Sequence, residues 1–107
     1  MKRRAILCCL LLLVTLSVSA SAESVYVKYR GEVDLDGFKC TWTQSSFVNR
    51  ICYLEESHYL LVSLSGPYYH YCGVPERLFE SWISASSKGR FYNTYVKGRY
   101  DCRLSGY

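Results

Sequence analysis

Two groups of side chains in this chain have types and spacing that suit chemistry. Glu55, Glu56 and His58, with His70 further along, offer carboxylates and imidazoles. A histidine and a carboxylate within reach of one another can pass a proton in a metal-free hydrolysis. The second group is basic and aromatic: Lys88, Arg90, Lys97, Arg99 and Arg103 are interleaved with Phe91, Tyr92, Tyr95 and Tyr100, and Asn93 lies among them. Cationic groups pair with phosphates and aromatic faces stack on unpaired bases, as single-stranded nucleic-acid binding requires. Tyr69, His70 and Tyr71 form a further aromatic cluster. No nucleophile elbow, phosphate-cradling loop or metal-spaced histidine pair accompanies them. The expectation is therefore a protein that is not an enzyme and needs neither metal nor cofactor, with a small secreted hydrolase as a distant third reading.

The elements that must position these groups are legible from periodicity. "SSFVNRICYL" reads as a strand, "EESH" as the polar turn after it and "YLLVSLS" as a second strand with Leu60, Val62 and Leu64 on one face. Gly66-Pro67 predicts a turn and "YYHYCGV" a returning third strand. With Ser65 opposite Tyr68, Leu64 faces Tyr69 and Val62 faces Tyr71, which sends both tyrosines to the core and leaves Tyr68, His70 and Cys72 on the other face. The period then changes. Pro75 suits the first position of a helix whose stripe is Leu78, Phe79, Trp82 and Ile83. Ser86-Ser87 can cap a second helix with Phe91, Tyr92, Tyr95 and Val96 on one side and Gly98 at its end. The expected fold is α+β: a three-stranded antiparallel meander packed by one or two C-terminal helices. The alternation at Val25, Val27, Tyr29, Val33 and Leu35 would add an N-terminal edge strand or stay loose.

On this layout the bland reading of each group is strong. The carboxylates and His58 fall in a solvated turn, His70 falls mid-strand, and the aromatics of the basic segment match the buried stripe of an amphipathic helix. Tyr69, Tyr71 and Tyr92 then act in packing before they act in binding.

The N-terminus sets the compartment. Lys2, Arg3 and Arg4, the apolar run from Ala5 to Val18, and Ala20-Ser21-Ala22 are the three parts of a secretory signal peptide cleaved after Ala22. The run is too short for a span of roughly 20 apolar residues, so no stable membrane insertion is expected after cleavage. Cleavage leaves 85 residues, ten of the thirteen Lys and Arg against nine Asp and Glu, and four of six cysteines, because Cys8 and Cys9 leave with the leader. The mature domain is nearly neutral, with its positive charge gathered in the last 23 residues. That balance removes the general argument for a nucleic-acid partner and keeps only the local one.

A domain this small has a thin margin without a staple. Cys40, Cys52, Cys72 and Cys102 show no CxxC pair for zinc and read as two disulfides in an oxidising compartment. Three pairings are open. Cys52 to Cys72 is disfavoured, since the meander places them on its two outer strands roughly 10 Å apart at a 4.7–4.9 Å strand spacing.

The stretch from Ser45 to Tyr100 resembles the KTSC domain, a module named for its occurrence at the C-terminus of some lysyl-tRNA synthetases and also found as a stand-alone bacterial protein. The landmarks are Ser45-Ser46 opening a strand, Ile51 and Tyr53 within it, Tyr69-His70-Tyr71, Val74-Pro75 at the helix start, Ala85, and "SKGRFYN" from Ser87 to Asn93. The "YHYC" and "DCR" surroundings resemble those of small secreted bacterial members. The resemblance implies no settled activity; RNA binding has been suggested for the family. Export and the four cysteines depart from its cytoplasmic pattern and place that role second.

The organisation expected is a signal peptide over 1–22, an N-terminal extension over 23–44, a KTSC-like domain over 45–103 and a tail over 104–107. The function expected is that of an exported periplasmic or secreted binding or structural module, with a protein or glycan of the envelope as partner and single-stranded nucleic acid as the alternative. Candidate binding residues are Tyr69, His70, Tyr71, Lys88, Arg90, Tyr92, Asn93, Lys97 and Arg99.

Overall fold

The computed structural model describes residues 23–105; the expected leader, with Cys8 and Cys9, lies outside the described residues. Six strands, β1 (Ser24–Val27), β2 (Gly31–Asp34), β3 (Lys39–Trp42), β4 (Val48–Leu54), β5 (Tyr59–Leu64) and β6 (Tyr68–Tyr71), form one sheet in the order β2-β1-β6-β5-β4-β3. Helix α1 (Glu76–Ser84) follows. Helix α2 (Lys88–Phe91) then runs on as a π-helical turn over Tyr92–Val96. All strand neighbours are antiparallel except β1 and β6, which run parallel through Val27 and Tyr68.

The α+β class holds, but three strands were too few. The expected meander is the central β4-β5-β6, and residues 23–44 supply the other half of the sheet. A reversal through Tyr29 (φ 70°) and Gly31 (φ 102°) closes the β1-β2 hairpin and pairs Val25 with Val33. This segment is not loose. Val27 and Leu35 pack with Cys52 and Leu61, and Val25, Val33, Phe38, Tyr59 and Tyr68 surround them, to cover one face of the sheet.

The β5-β6 register also differs from expectation: Val62 faces Tyr69 and Leu60 faces Tyr71, a slip of two residues. The two-residue loop is Ser65-Gly66, both at positive φ, flanked by a hydrogen bond from the Leu64 N–H to the Pro67 carbonyl at 2.9 Å. A tight hairpin turn of this kind needs positive φ at both central positions, which proline cannot adopt, so Pro67 moves to the strand. Because side chains alternate with period two, an even slip leaves every residue on its expected face.

The opposite face carries the larger core. Val48, Ile51, Tyr53, Leu60, Val62 and Tyr71 meet Val74, Phe79, Trp82, Tyr92 and Val96 from the helices. Pro75 caps α1 from just outside rather than occupying its first turn, accepting from the Leu78 and Phe79 N–H groups. Phe79 stacks on Tyr53 at 4.6 Å, and the buried Trp82 indole donates to the Lys88 carbonyl at 3.0 Å, fixing where α2 begins. In the π turn the Lys97 N–H reaches back to the Tyr92 carbonyl at 2.8 Å; Tyr92 and Val96 are buried, while Tyr95 is 52% exposed rather than part of the buried stripe.

Cys40 is bonded to Cys52 directly across β3 and β4, and Cys72 is bonded to Cys102 in the 3-10 turn Cys102–Ser105. One bridge pins the edge strand and the other pins the C-terminal turn beside the end of β6, where the Cys72 N–H also donates to the Tyr100 carbonyl.

Candidate ligand-binding groove

The loop between β3 and β4 is built by its hydroxyls. Thr43 Oγ1 donates to the Val48 carbonyl, and Ser45 Oγ accepts from the Phe47 and Val48 N–H groups at 3.3 and 3.1 Å. Serine and threonine satisfy local backbone in this way and so give short loops a definite shape. Facing this loop, the α1-α2 connection is held by Ser87 Oγ, which accepts from the Arg90 N–H at 3.1 Å, and by Lys88 Nζ, which donates to the Ala85 carbonyl at 2.6 Å. The two segments approach closely where Gly89 meets the Phe47 ring: a Cβ on Gly89 would come within 2.6 Å of Phe47 Cε1.

Between them lies an open groove of about 910 Å³. Ser45 and Ser46 line one wall, Lys88, Arg90 and Asn93 the other, and Thr41 and Trp42 continue along the β3 edge. Its lining holds two cations and no carboxylate, and Trp42 at its rim is 68% exposed. The arrangement suits a ligand that offers hydrogen-bonding groups and at least one negative charge.

Of the candidate binding residues, the structure gathers Lys88, Arg90 and Asn93 in this groove. Lys97 and Arg99 are exposed beyond the π turn and do not line it. Tyr71 and Tyr92 are interior, with their hydroxyls 2.9 Å apart, and Tyr69 packs half-buried against the same core. Burial, reinforced by the Tyr92 hydrogen bond, holds the Tyr71 phenol well above the usual tyrosine range. His70 is 3% exposed on the other face, its Nδ1 2.9 Å from the Tyr59 hydroxyl; burial pushes its pKa down. Tyr71, Tyr92 and His70 fill interior volume, in line with the packing expected of the tyrosines, and Tyr69 keeps part of its surface open.

The acid–base group is not brought together. Glu55 and Glu56 lie in an exposed 3-10 turn with His58 at its end, Glu55 is paired with Lys39 at 3.0 Å, and His70 is buried in the sheet. Among the described residues, no three of His, Cys, Asp and Glu are grouped to hold a metal ion.

A family model of the KTSC domain matches residues 44–100. The chain belongs to the KTSC domain family. It is similar to a KTSC domain protein from Yersinia pestis of known crystal structure, at 33% identity and a TM-score of 0.56, over 59% of this chain and 90% of that one. No curated protein matches the chain. Both groove walls, Ser45-Ser46 and Lys88 to Asn93, fall within the KTSC match, whereas β1, β2, β3 and Cys102 lie outside it.

Two features of the site are not apparent from the sequence. Ser45 and Ser46 were legible as strand landmarks of a KTSC domain but not as a groove wall, since the facing wall is some 40 residues away. Arg50, 7% exposed, holds Glu23 through two hydrogen bonds of 2.7 and 3.1 Å, donates to the Tyr68 hydroxyl at 3.2 Å and lies 4.3 Å over the Trp42 ring. Its position two residues before Cys52 in a buried strand was the available signal.

Proposed function

We propose that this KTSC protein is an exported, disulfide-stapled binding module that takes its ligand in the groove between the β3-β4 loop and the α1-α2 connection. The observation that carries this is the groove lining, in which Lys88 and Arg90 stand opposite Ser45 and Ser46 with no carboxylate nearby, on residues inside the family match. Export is supported by the order of Lys2 to Arg4, the apolar run and Ala20-Ser21-Ala22. The two disulfides are compatible with an oxidising compartment. The partner is a protein or glycan of the cell envelope with anionic groups. A second reading, single-stranded nucleic acid, is favoured by one observation: Arg90, Lys97, Arg99 and the half-exposed Tyr95 are all exposed within the one stretch between residues 90 and 99.

The test is binding of the full chain, recovered oxidised from an exporting bacterium, to a purified envelope fraction and to single-stranded RNA and DNA over a salt series. Envelope binding that falls at least tenfold in the Lys88→Ala/Arg90→Ala double variant supports the groove. Equal binding by that variant rejects it. Nucleic-acid binding whose log affinity falls by about 0.7 per neutralised phosphate with log salt would move the second reading to first.

A further inference from the structure

The groove runs beside an open sheet edge whose hydrogen-bonding groups the backbone register identifies. Lys39, Cys40, Thr41 and Trp42 on β3 stand opposite Tyr53, Cys52, Ile51 and Arg50 on β4. The Thr43 N–H donates to the Asn49 carbonyl, which makes 43 and 49 a hydrogen-bonded pair. In an antiparallel ladder such pairs alternate with pairs that bond outward. Thr41 and Lys39 therefore bond to β4, and the N–H and C=O groups of Cys40 and Trp42 point away from the sheet. Among the described residues no strand lies on that side, since β3 ends the strand order.

Three more observations say what would occupy this edge. First, the edge is held in place: the Cys40–Cys52 bridge locks β3 to β4, so an incoming strand meets a preorganised partner. Second, a smaller groove of about 330 Å³ runs between β3 and α1 with Phe79 and Ile83 in its lining, and it joins the larger groove through Thr41 and Ile83, which line both. Alternate side chains of an added strand would enter it. Third, the charge along this path is balanced in the smaller groove, which Lys39 and Glu80 both line, and positive at the far end, where Lys88 and Arg90 stand. The opposite sheet edge, β2, carries Glu32 and Asp34, the wrong sign for the same ligand.

We propose that the ligand is an extended acidic polypeptide segment that adds to the β3 edge as a seventh strand. The segment pairs its backbone with Cys40 and Trp42, places an apolar side chain against Phe79 and Ile83, and carries carboxylates to Lys88 and Arg90. This deepens the groove reading and rests on it.

The probe is a degenerate pool of eight-residue peptides with Asp or Glu fixed at three positions and β-branched residues elsewhere, titrated into the oxidised, nitrogen-15-labelled full chain. Two matching pools are N-methylated on alternate residues, one in each phase. The expected result is at least tenfold slower hydrogen exchange at the Cys40 and Trp42 amides, shifts at Lys88 and Arg90, at least tenfold weaker binding in one N-methyl phase, and several-fold weaker binding in Arg90→Gln. Shifts at Ser45, Ser46, Lys88 and Arg90 without protection of Cys40 and Trp42 overturn strand addition and leave the groove. Absence of groove shifts with the peptides, an envelope fraction and single-stranded RNA alike overturns both. Protection of the two amides that grows with protein concentration and without peptide assigns the edge to a second copy and overturns the peptide.

Discussion

Replacing Gly89 with alanine tests the contact that brings the two groove walls together. Gly89 sits in the first turn of α2 without a positive φ, so backbone conformation does not demand glycine there. On helix propensity alone alanine should stabilise by roughly 0.5–1 kcal/mol. Its Cβ, however, would lie 2.6 Å from Cε1 and 3.2 Å from Cζ of Phe47, whose ring is wedged edge-on against Tyr92 at 6.0 Å between centroids. Tyr92 is buried and tied to Tyr71, so the ring cannot retreat toward the core and can yield only by giving up its Tyr92 contact and swinging into the groove that it lines. Overpacking of this kind costs about 1–3 kcal/mol, which outweighs the propensity gain and leaves a net loss of about 1 kcal/mol. For a domain of this size that is a fall in Tm of about 4–8 °C. The assay is thermal unfolding of the oxidised chain in a double-mutant cycle with Phe47→Leu. In the Phe47→Leu background Gly89→Ala should become neutral or stabilising, a coupling of about 1 kcal/mol or more. If Gly89→Ala raises Tm by the same amount in both backgrounds, α2 does not press on the β3-β4 loop, and the two groove walls do not meet at Gly89 and Phe47.

Other outcomes follow from the same structure. The Tyr71 phenol is held neutral when folded, so its contribution is complete below the unfolded tyrosine value of about 10 and is lost as pH rises above it; urea unfolding from pH 8 to 11 should show stability falling above about pH 10, less steeply in Tyr71→Phe. Removing the Cys72–Cys102 bridge as a serine pair should cost about 3.5 kcal/mol and removing Cys40–Cys52 about 3 kcal/mol, from their sequence separations of 30 and 12, with denaturant midpoints as the readout. Mass spectrometry of the exported chain should find Glu23 at its N-terminus. A start further along would delete the carboxylate that Arg50 holds and would contradict the expected cleavage site.

What was legible beforehand follows the range of the interactions involved. The stripe of Leu78, Phe79, Trp82 and Ile83 announces α1 because its period is local, and "YLLVSLS" announces a central strand for the same reason. The Ser65-Gly66 turn was misplaced by one residue because Gly-Pro reads as turn chemistry, and only the demand for two positive φ angles excludes Pro67 from its centre. β1, β2 and β3 are four residues each, too short for periodicity to separate from loop, and they gain definition from distant partners: Val27 from Leu61, and Cys40 from Cys52. Arg50 shows the limit most clearly. A charged residue in a strand reads as solvent-facing, and the glutamate that lets it sit inside lies 27 positions earlier. The groove was half legible: the basic segment named Lys88, Arg90 and Asn93, while Ser45, Ser46 and Trp42 joined them only through the tertiary fold.

The most direct measurement of the groove's role is site-specific photocrosslinking in the exporting cell, with a photoreactive residue at Ser46 and, as control, at the exposed Glu56. Adducts are expected from Ser46 that disappear when Lys88 and Arg90 are both alanine, and none from Glu56. Adducts from Glu56 alone, or adducts from Ser46 that persist without the two cations, would refute a ligand site in the groove.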